Sequence, residues 1–251
     1  MIFTIFDTET TSLDKPFCYN VGYIIINILT GEILKRADYV VEQVWHNPML
    51  FTTAYYANKR ADYVKSMRCR QTKMDKFGYI CQQMIRDFKA YGVTAAFAYN
   101  SPFDEKVFNF NCDWFKCNNP FDNIPIYDIR GYAHHFICNT DEYKNWCEEY
   151  ERFSDSGNYS TTAENVYQYV SGKYDFIEDH TALSDSIIES EILVATIDNG
   201  AEPMGDYKPF KTIKREHTKN FTVKFNDEII LTKKVNSIRY MKTNSTIILK
   251  G

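Results

Sequence analysis

The chain has 251 residues, 44% of them apolar and 25% charged, with a formal net charge of −4. That length suits one substantial domain with an appendage, and the apolar share is enough to fill a core, which excludes a disordered or fibrous chain. No apolar run approaches the roughly 18 residues of a membrane span, MIFTIFDTET carries no basic leader or cleavage pattern, and the seven scattered cysteines fit reduced thiols better than a disulfide framework, so a cytoplasmic protein off the membrane is expected.

In chain order, IFTIF predicts a buried strand, FCYNVGYIIINIL a second and EILKRADYVVEQ a third. Thr30-Gly31 supplies the turn between the last two, and the three strands make an antiparallel meander. The first strand delivers two acids, Asp7 and Glu9, at its end. Residues i and i+2 of a strand share a face, so these carboxylates stand side by side, and their repulsion suits a hard divalent cation such as Mg²⁺ or Mn²⁺. The plainer reading is an acidic surface turn.

Phe51 to Lys76 mixes Tyr55, Tyr56 and Tyr63 with Lys59, Arg60, Lys65, Arg68, Arg70, Lys73 and Lys76. That mixture could stack bases and meet phosphates, or its tyrosines could belong to the core. DKFGYICQQMIRDFKAYG then predicts a helix stopped at Gly92, and TAAFAYN a strand. SPFDEKVFNFNCDWF predicts a helix with Ser101 as N-cap and Pro102 at its first position, and PIYDI one more strand. From GYAHHF to IDNG the pattern is mostly helical, broken by the loop SDSGNYS. Strands first, then strand and helix in alternation, point to an α/β fold: a mixed sheet flanked by helices.

Asp104 falls in the first turn of a helix that follows a strand, where α/β folds collect functional groups. His180 and Asp185, five residues apart, would lie about 140° apart on one helix. If the helix begins near Thr181, His180 sits on the preceding loop and can turn back over the groups Asp185 faces. A zinc site from Cys112, Cys117, Cys138 and His134 or His135 is a weaker reading, because no paired CxxC units occur.

These residues resemble the DEDDh branch of the 3′–5′ exonucleases, which includes the proofreading exonuclease subunit of bacterial DNA polymerase III and ribonuclease T. The resemblance rests on FDTETTSL, on AYNSPFDEKVF around Asp104, and on HTALSD with His180 and Asp185, in the family's order over residues 1–199. YSTTAENVYQYVSGKYDFIEDHTAL is similar to phage-encoded members. Tyr99 stands where the family often has histidine, and Ser12 where it usually has glycine.

The resemblance implies a ribonuclease H-like fold and two divalent ions, Mg²⁺ or Mn²⁺, held by Asp7, Glu9, Asp104 and Asp185. It also implies His180 as general base and Glu9, Thr10 and Leu13 against the terminal nucleotide. The expected activity is metal-dependent 3′–5′ hydrolysis of terminal phosphodiesters to nucleoside 5′-monophosphates. Single-stranded DNA leads as substrate and RNA follows, with a replication or repair protein as a further partner. A catalytically silent nucleic-acid-binding module is the reading from another class.

Charge divides the chain in two. Residues 207–251 carry 11 Lys/Arg against 3 Asp/Glu, a net of +8, which leaves 18 against 30, a net of −12, in residues 1–206. We expect an exonuclease domain over 1–206 and a small basic β-rich tail over 207–251, with a hairpin turn at Asn226-Asp227 and lysines placed to meet phosphate.

Overall fold

The structure, a computed structural model, describes residues 1–215, 219–225, 228–235, 237–238 and 249–250. Its centre is a six-stranded mixed sheet. Strand β1 (Ile2–Thr10) pairs antiparallel with β2 (Cys18–Asn27), and β2 antiparallel with β3 (Glu32–Val41). The expected meander is present, with Gly31 left-handed at its turn (φ 70°). Parallel pairings add β4 (Lys73–Asp75) beyond β3, then β5 (Ala95–Ala98) and β6 (Ile126–Asp128) on the other side of β1, giving the order β4-β3-β2-β1-β5-β6. β4 is a strand the sequence did not announce: three residues are too short for a period of two to register.

Both faces of the sheet are covered, which is why β2 is buried along nearly its whole length instead of alternating. One face carries Phe6, Tyr23 and Ile25 under α1 (Glu42–Trp45), α2 (Pro48–Phe51), α3 (Arg60–Arg68), α4 (Phe77–Tyr91) and α5 (Ser101–Phe115). The other carries Phe3, Ile5, Ile24 and Ile26 under α6 (Ile129–Ala133), α7 (Asp141–Glu149), α8 (Ala163–Ser171) and α9 (Ala182–Asp198). Asp7 and Glu9 continue the alternation of Phe3 and Ile5, so they end β1 on the α9 face.

Helix signals read from sequence hold with one shift. α4 stops at Gly92 in the left-handed region (φ 67°), as expected. α5 begins at Ser101 itself, and the cap is Asn100, also left-handed (φ 65°), a conformation asparagine tolerates better than most residues. Asp128 at the end of β6 accepts the Asn100 N–H at 2.8 Å, which fixes that turn one residue earlier than Ser101 would have.

One glycine decides how closely α9 approaches the sheet. A Cβ on Gly22, the β2 partner of Asp7, would lie 2.1 Å from the Ala182 carbonyl carbon and the Leu183 nitrogen. The start of α9 therefore rests directly on β2. Asn20 Oδ1 accepts the Ala182 N–H at 2.9 Å, and Ser186 Oγ donates to the Gly22 carbonyl at 3.2 Å.

The stretch from Tyr207 to Arg215 lies against the α6–α7 side. Tyr207 meets the Tyr132 ring edge-on at 4.8 Å, Ile213 is buried and bridges to Tyr159, and Arg215 Nε donates to Glu148 at 2.7 Å. Beyond it, β7 (Lys219–Phe225) and β8 (Glu228–Val235) pair antiparallel. The expected turn at Asn226-Asp227 lies outside the described residues.

Candidate active site

β1 and α9 bring three of the four expected acids together. Carboxylate oxygens of Asp7, Glu9 and Asp185 lie within 4.8 Å of one another. Asp185 is in the first turn of α9, which Gly22 and Asn20 hold over the end of β1. Asp104 arrives from the first turn of α5 and is tied to the same strand end by Thr8, whose hydroxyl donates to it at 2.6 Å. Thr8 points to the opposite face from Asp7 and Glu9, so β1 reaches the acids of both helical layers.

Electrostatics in this cluster run one way. Burial pushes Asp7 up to about 7 and, with the Asp7 charge adding to it, Glu9 up to about 9. Asp185 is pushed up to about 10 by burial and then by Asp7 and Glu178, and burial followed by Asp7 holds Asp104 well above the carboxylate range. Among the described residues no lysine or arginine forms an ion pair with any of the four. Asp185 Oδ1 is buried without a hydrogen-bond partner. Hard oxygen donors, convergent, short of positive charge and with one oxygen orphaned, fit a divalent cation such as Mg²⁺ or Mn²⁺.

His180 occupies the loop before Thr181, the N-cap of α9, the placement expected for a helix that begins there. Its backbone is left-handed (φ 48°), a costly conformation for histidine. The ring stacks on Tyr56 at 4.3 Å with an interplanar angle of 14°, and Nδ1 lies 3.6 Å from Glu178 Oε2. Burial lowers its pKa below the ordinary histidine value, so the neutral ring prevails near pH 7. Thr10 closes β1 with its hydroxyl on the Ser12 carbonyl at 3.3 Å, and Leu13 follows on a loop, 74% exposed. Lys106 of α5 donates to the Leu13 carbonyl at 2.8 Å. Ser12 has no positive φ, so its side chain brings no backbone strain there.

Sequence reasoning missed two acids. Glu178 precedes His180 by two residues and is pushed up to about 7 by burial, then by Asp7 and Glu164. Glu189 is buried one helical turn after Asp185 and accepts the Tyr99 N–H at 3.2 Å. The i, i+4 spacing from Asp185 was a usable signal for Glu189; Glu178, on an irregular loop, had none. The aromatic-basic segment is divided: Tyr63 is core and donates to Asn20, Tyr56 carries His180, and Tyr55 is 87% exposed. Arg60 packs over Trp45 at 4.1 Å, and Lys59 pairs with Asp179 at 3.3 Å.

The sheet separates the expected zinc ligands. Cys112 and Cys117 belong to the α4–α5 layer, whereas Cys138 and buried His134 lie in the opposite layer. A cleft of about 650 Å³ opens beside Asn100 and Glu164, with Arg130 and Lys211 on its wall.

No protein-family model and no curated protein matches the chain. Solved structures do. The nuclease domain of 3′hExo, a DEDDh family member, bound to rAMP, matches at TM-score 0.55 and 16% identity, over 83% of this chain and 97% of that one. A 3′-exonuclease in 3′-end-specific recognition of a histone mRNA stem-loop matches at TM-score 0.55 and 14% identity, over 100% and 73%. Exonuclease I of E. coli in complex with a dT13 oligonucleotide matches at TM-score 0.50 and 13% identity, over 80% and 42%. At such identity the likeness establishes the fold, a ribonuclease H-like mixed sheet flanked by helices.

Proposed function

We propose that this chain is a metal-dependent 3′–5′ exonuclease that releases nucleoside 5′-monophosphates, with single-stranded DNA as its leading substrate. The observation that carries the reading is the convergence of Asp7, Glu9 and Asp185 oxygens within 4.8 Å, with Asp104 joined to the same strand end. A surface turn has no reason to bury carboxylates against one another, and a silent binding module gains nothing from acids that repel phosphate.

Asp7, Glu9, Asp104 and Asp185 would hold two Mg²⁺ or Mn²⁺ ions, which supply Lewis-acid stabilisation of the charge that develops in phosphodiester hydrolysis. His180, neutral near pH 7, takes the proton of the attacking water, and the Tyr56 ring and Glu178 set its orientation. Glu9 meets the terminal 3′ hydroxyl, while Thr10 and exposed Leu13 contact and wedge the last nucleotide. Arg130 and Lys211, which share the wall of the cleft beside Asn100 with Asp155 and Glu164, are the cations there that would meet the phosphates behind the terminal nucleotide.

RNA is the second reading, favoured by the two neighbours with TM-score 0.55, one solved with rAMP and one on an mRNA stem-loop. Matched 5′-labelled DNA and RNA strands, each with Mg²⁺ and with Mn²⁺, test both. Shortening of DNA from its 3′ end ahead of RNA is expected; RNA degraded faster reverses the order, and neither degraded overturns the enzyme.

A further inference from the structure

Three of the seven cysteines meet on the sheet face away from α9. Cys81 is in the second turn of α4, Cys112 in the last turn of α5, and Cys117 just past the end of α5. Their sulfur atoms lie within 4.8 Å of one another; Cys81 and Cys112 are buried and Cys117 is half-buried.

Two backbone features bring Cys117 into this group. Lys116 adopts the left-handed conformation (φ 55°), unfavourable for a residue with a β-carbon, and turns the chain so that the Cys117 N–H donates to the Cys112 carbonyl at 3.1 Å. One turn before Cys81, Gly78 leaves the room: a Cβ there would sit 3.2 Å from the Cys117 Cβ. The surrounding seam is aromatic, with Phe77 against Phe108 and Phe115, each at 5.7 Å.

We propose that Cys81, Cys112 and Cys117 form a three-thiolate site for a zinc ion that clamps α4 to α5, with a solvent molecule in the fourth position on the half-exposed Cys117 side. Zn–S bonds of about 2.3 Å set tetrahedral sulfurs roughly 3.8 Å apart, a spacing these three reach by small side-chain adjustments. Each bond forms as a thiol proton leaves to solvent, and no sulfur is oxidised. Three thiolates with Zn²⁺ leave one net negative charge; Cu⁺ would leave two in the same aromatic seam, and carboxylate-preferring Mg²⁺ would find no oxygen ligand among the three. The clamp bears on α5, the helix that carries Asp104.

Co²⁺ added to the full chain, freed of metal and kept reduced with a phosphine, reads this site separately from the carboxylates, because only thiolate ligands give sulfur-to-cobalt charge-transfer absorption. One equivalent should produce that absorption and one equivalent of Zn²⁺ should bleach it. Cys117→Ser, at a half-exposed position where folding can be checked by circular dichroism, should weaken binding by about 10²-fold or more, since even losing a supporting hydrogen bond costs roughly 10–100-fold. Cys69→Ser, at an exposed position, should change nothing. Zn²⁺ should raise the melting midpoint of the wild type by more than that of Cys117→Ser, which keeps only what the carboxylate cluster adds. Absence of the charge-transfer band in the reduced wild type, or a band undiminished in Cys117→Ser, overturns the proposal.

Discussion

Asp7, Glu9 and Asp185 are each held where the charged form is disfavoured, and that has a consequence for stability as well as for chemistry. Their folded pKa values of about 7, 9 and 10 lie above the ordinary carboxylate range, so between these limits the folded chain binds more protons than the unfolded one. Stability from these groups is complete below about pH 4 and is lost as pH rises through about 7 to 10. The melting midpoint of the metal-free chain should therefore fall from about pH 6 to pH 9, and Asp185→Asn should flatten the fall. Mg²⁺ should raise the midpoint more at the higher pH, where it meets ionised ligands. A midpoint that climbs with pH in the metal-free wild type contradicts the burial-driven account. His180 is shifted the other way: its pKa lies below the usual histidine value, so the acid limb of turnover should also fall below that value. His180→Gln should slow turnover by roughly 10²–10⁴ and remove that limb. A mutant that keeps the wild-type profile assigns the base to another group.

At the scale of elements, the crossing of α9 over β2 positions Asp185, and Gly22 is what lets it happen. Gly22→Ala should displace the start of α9. Ordinary overpacking costs about 1–3 kcal/mol, and here the clash is with backbone that has no rotamer to yield, so the loss should reach the upper end or beyond. Turnover should fall more than the change in melting midpoint accounts for; full activity with an unchanged midpoint rules out the close crossing. Much of this architecture was legible. The alternation of IFTIF placed Asp7 and Glu9 on one face, and the loop position of His180 followed from where α9 could begin. What escaped had no local signature. β4 is three residues of an edge strand; the Asn100 cap depends on Asp128 from another strand; and the thiol group joins Cys81 of α4 to two cysteines of α5 and its end, which the spacing within α5 alone could not reveal. Cys138 was set aside from its expected partners by the sheet itself, a separation that only topology creates.

Across the whole molecule, the acidic body and basic tail divide the work we propose. The charge boundary at Asp206 and the packing of the chain do not coincide, because Tyr207 to Arg215 rests on the body and lays Lys211 along the cleft beside Arg130. A chain ended after Arg215 removes seven Lys/Arg and three Asp/Glu while leaving that packing intact. If about four of those cations meet single-stranded phosphates, log affinity against log salt should lose roughly 3 units of slope, at about 0.7 per contact. Hydrolysis of a small thymidine monophosphate ester should persist, because the four acids and His180 all lie upstream. Unchanged binding and salt dependence make the tail a structural appendage only.

The central claim is that Asp7, Glu9 and Asp185, with Asp104 joined to the same strand end, bind the divalent ions on which hydrolysis from a 3′ end depends. Its most direct measurement is the shortening of a 5′-labelled single strand by wild type and by Asp185→Asn, folded by circular dichroism, across an Mg²⁺ titration that ends in excess chelator. Several kcal/mol of transition-state stabilisation, at about 1.36 kcal/mol per tenfold, predicts a loss on the order of 10³ or more in the variant. Wild type should leave a 3′-shortened ladder only while the ion is present. Shortening that survives the chelator, or that Asp185→Asn carries out at the wild-type rate, contradicts the account.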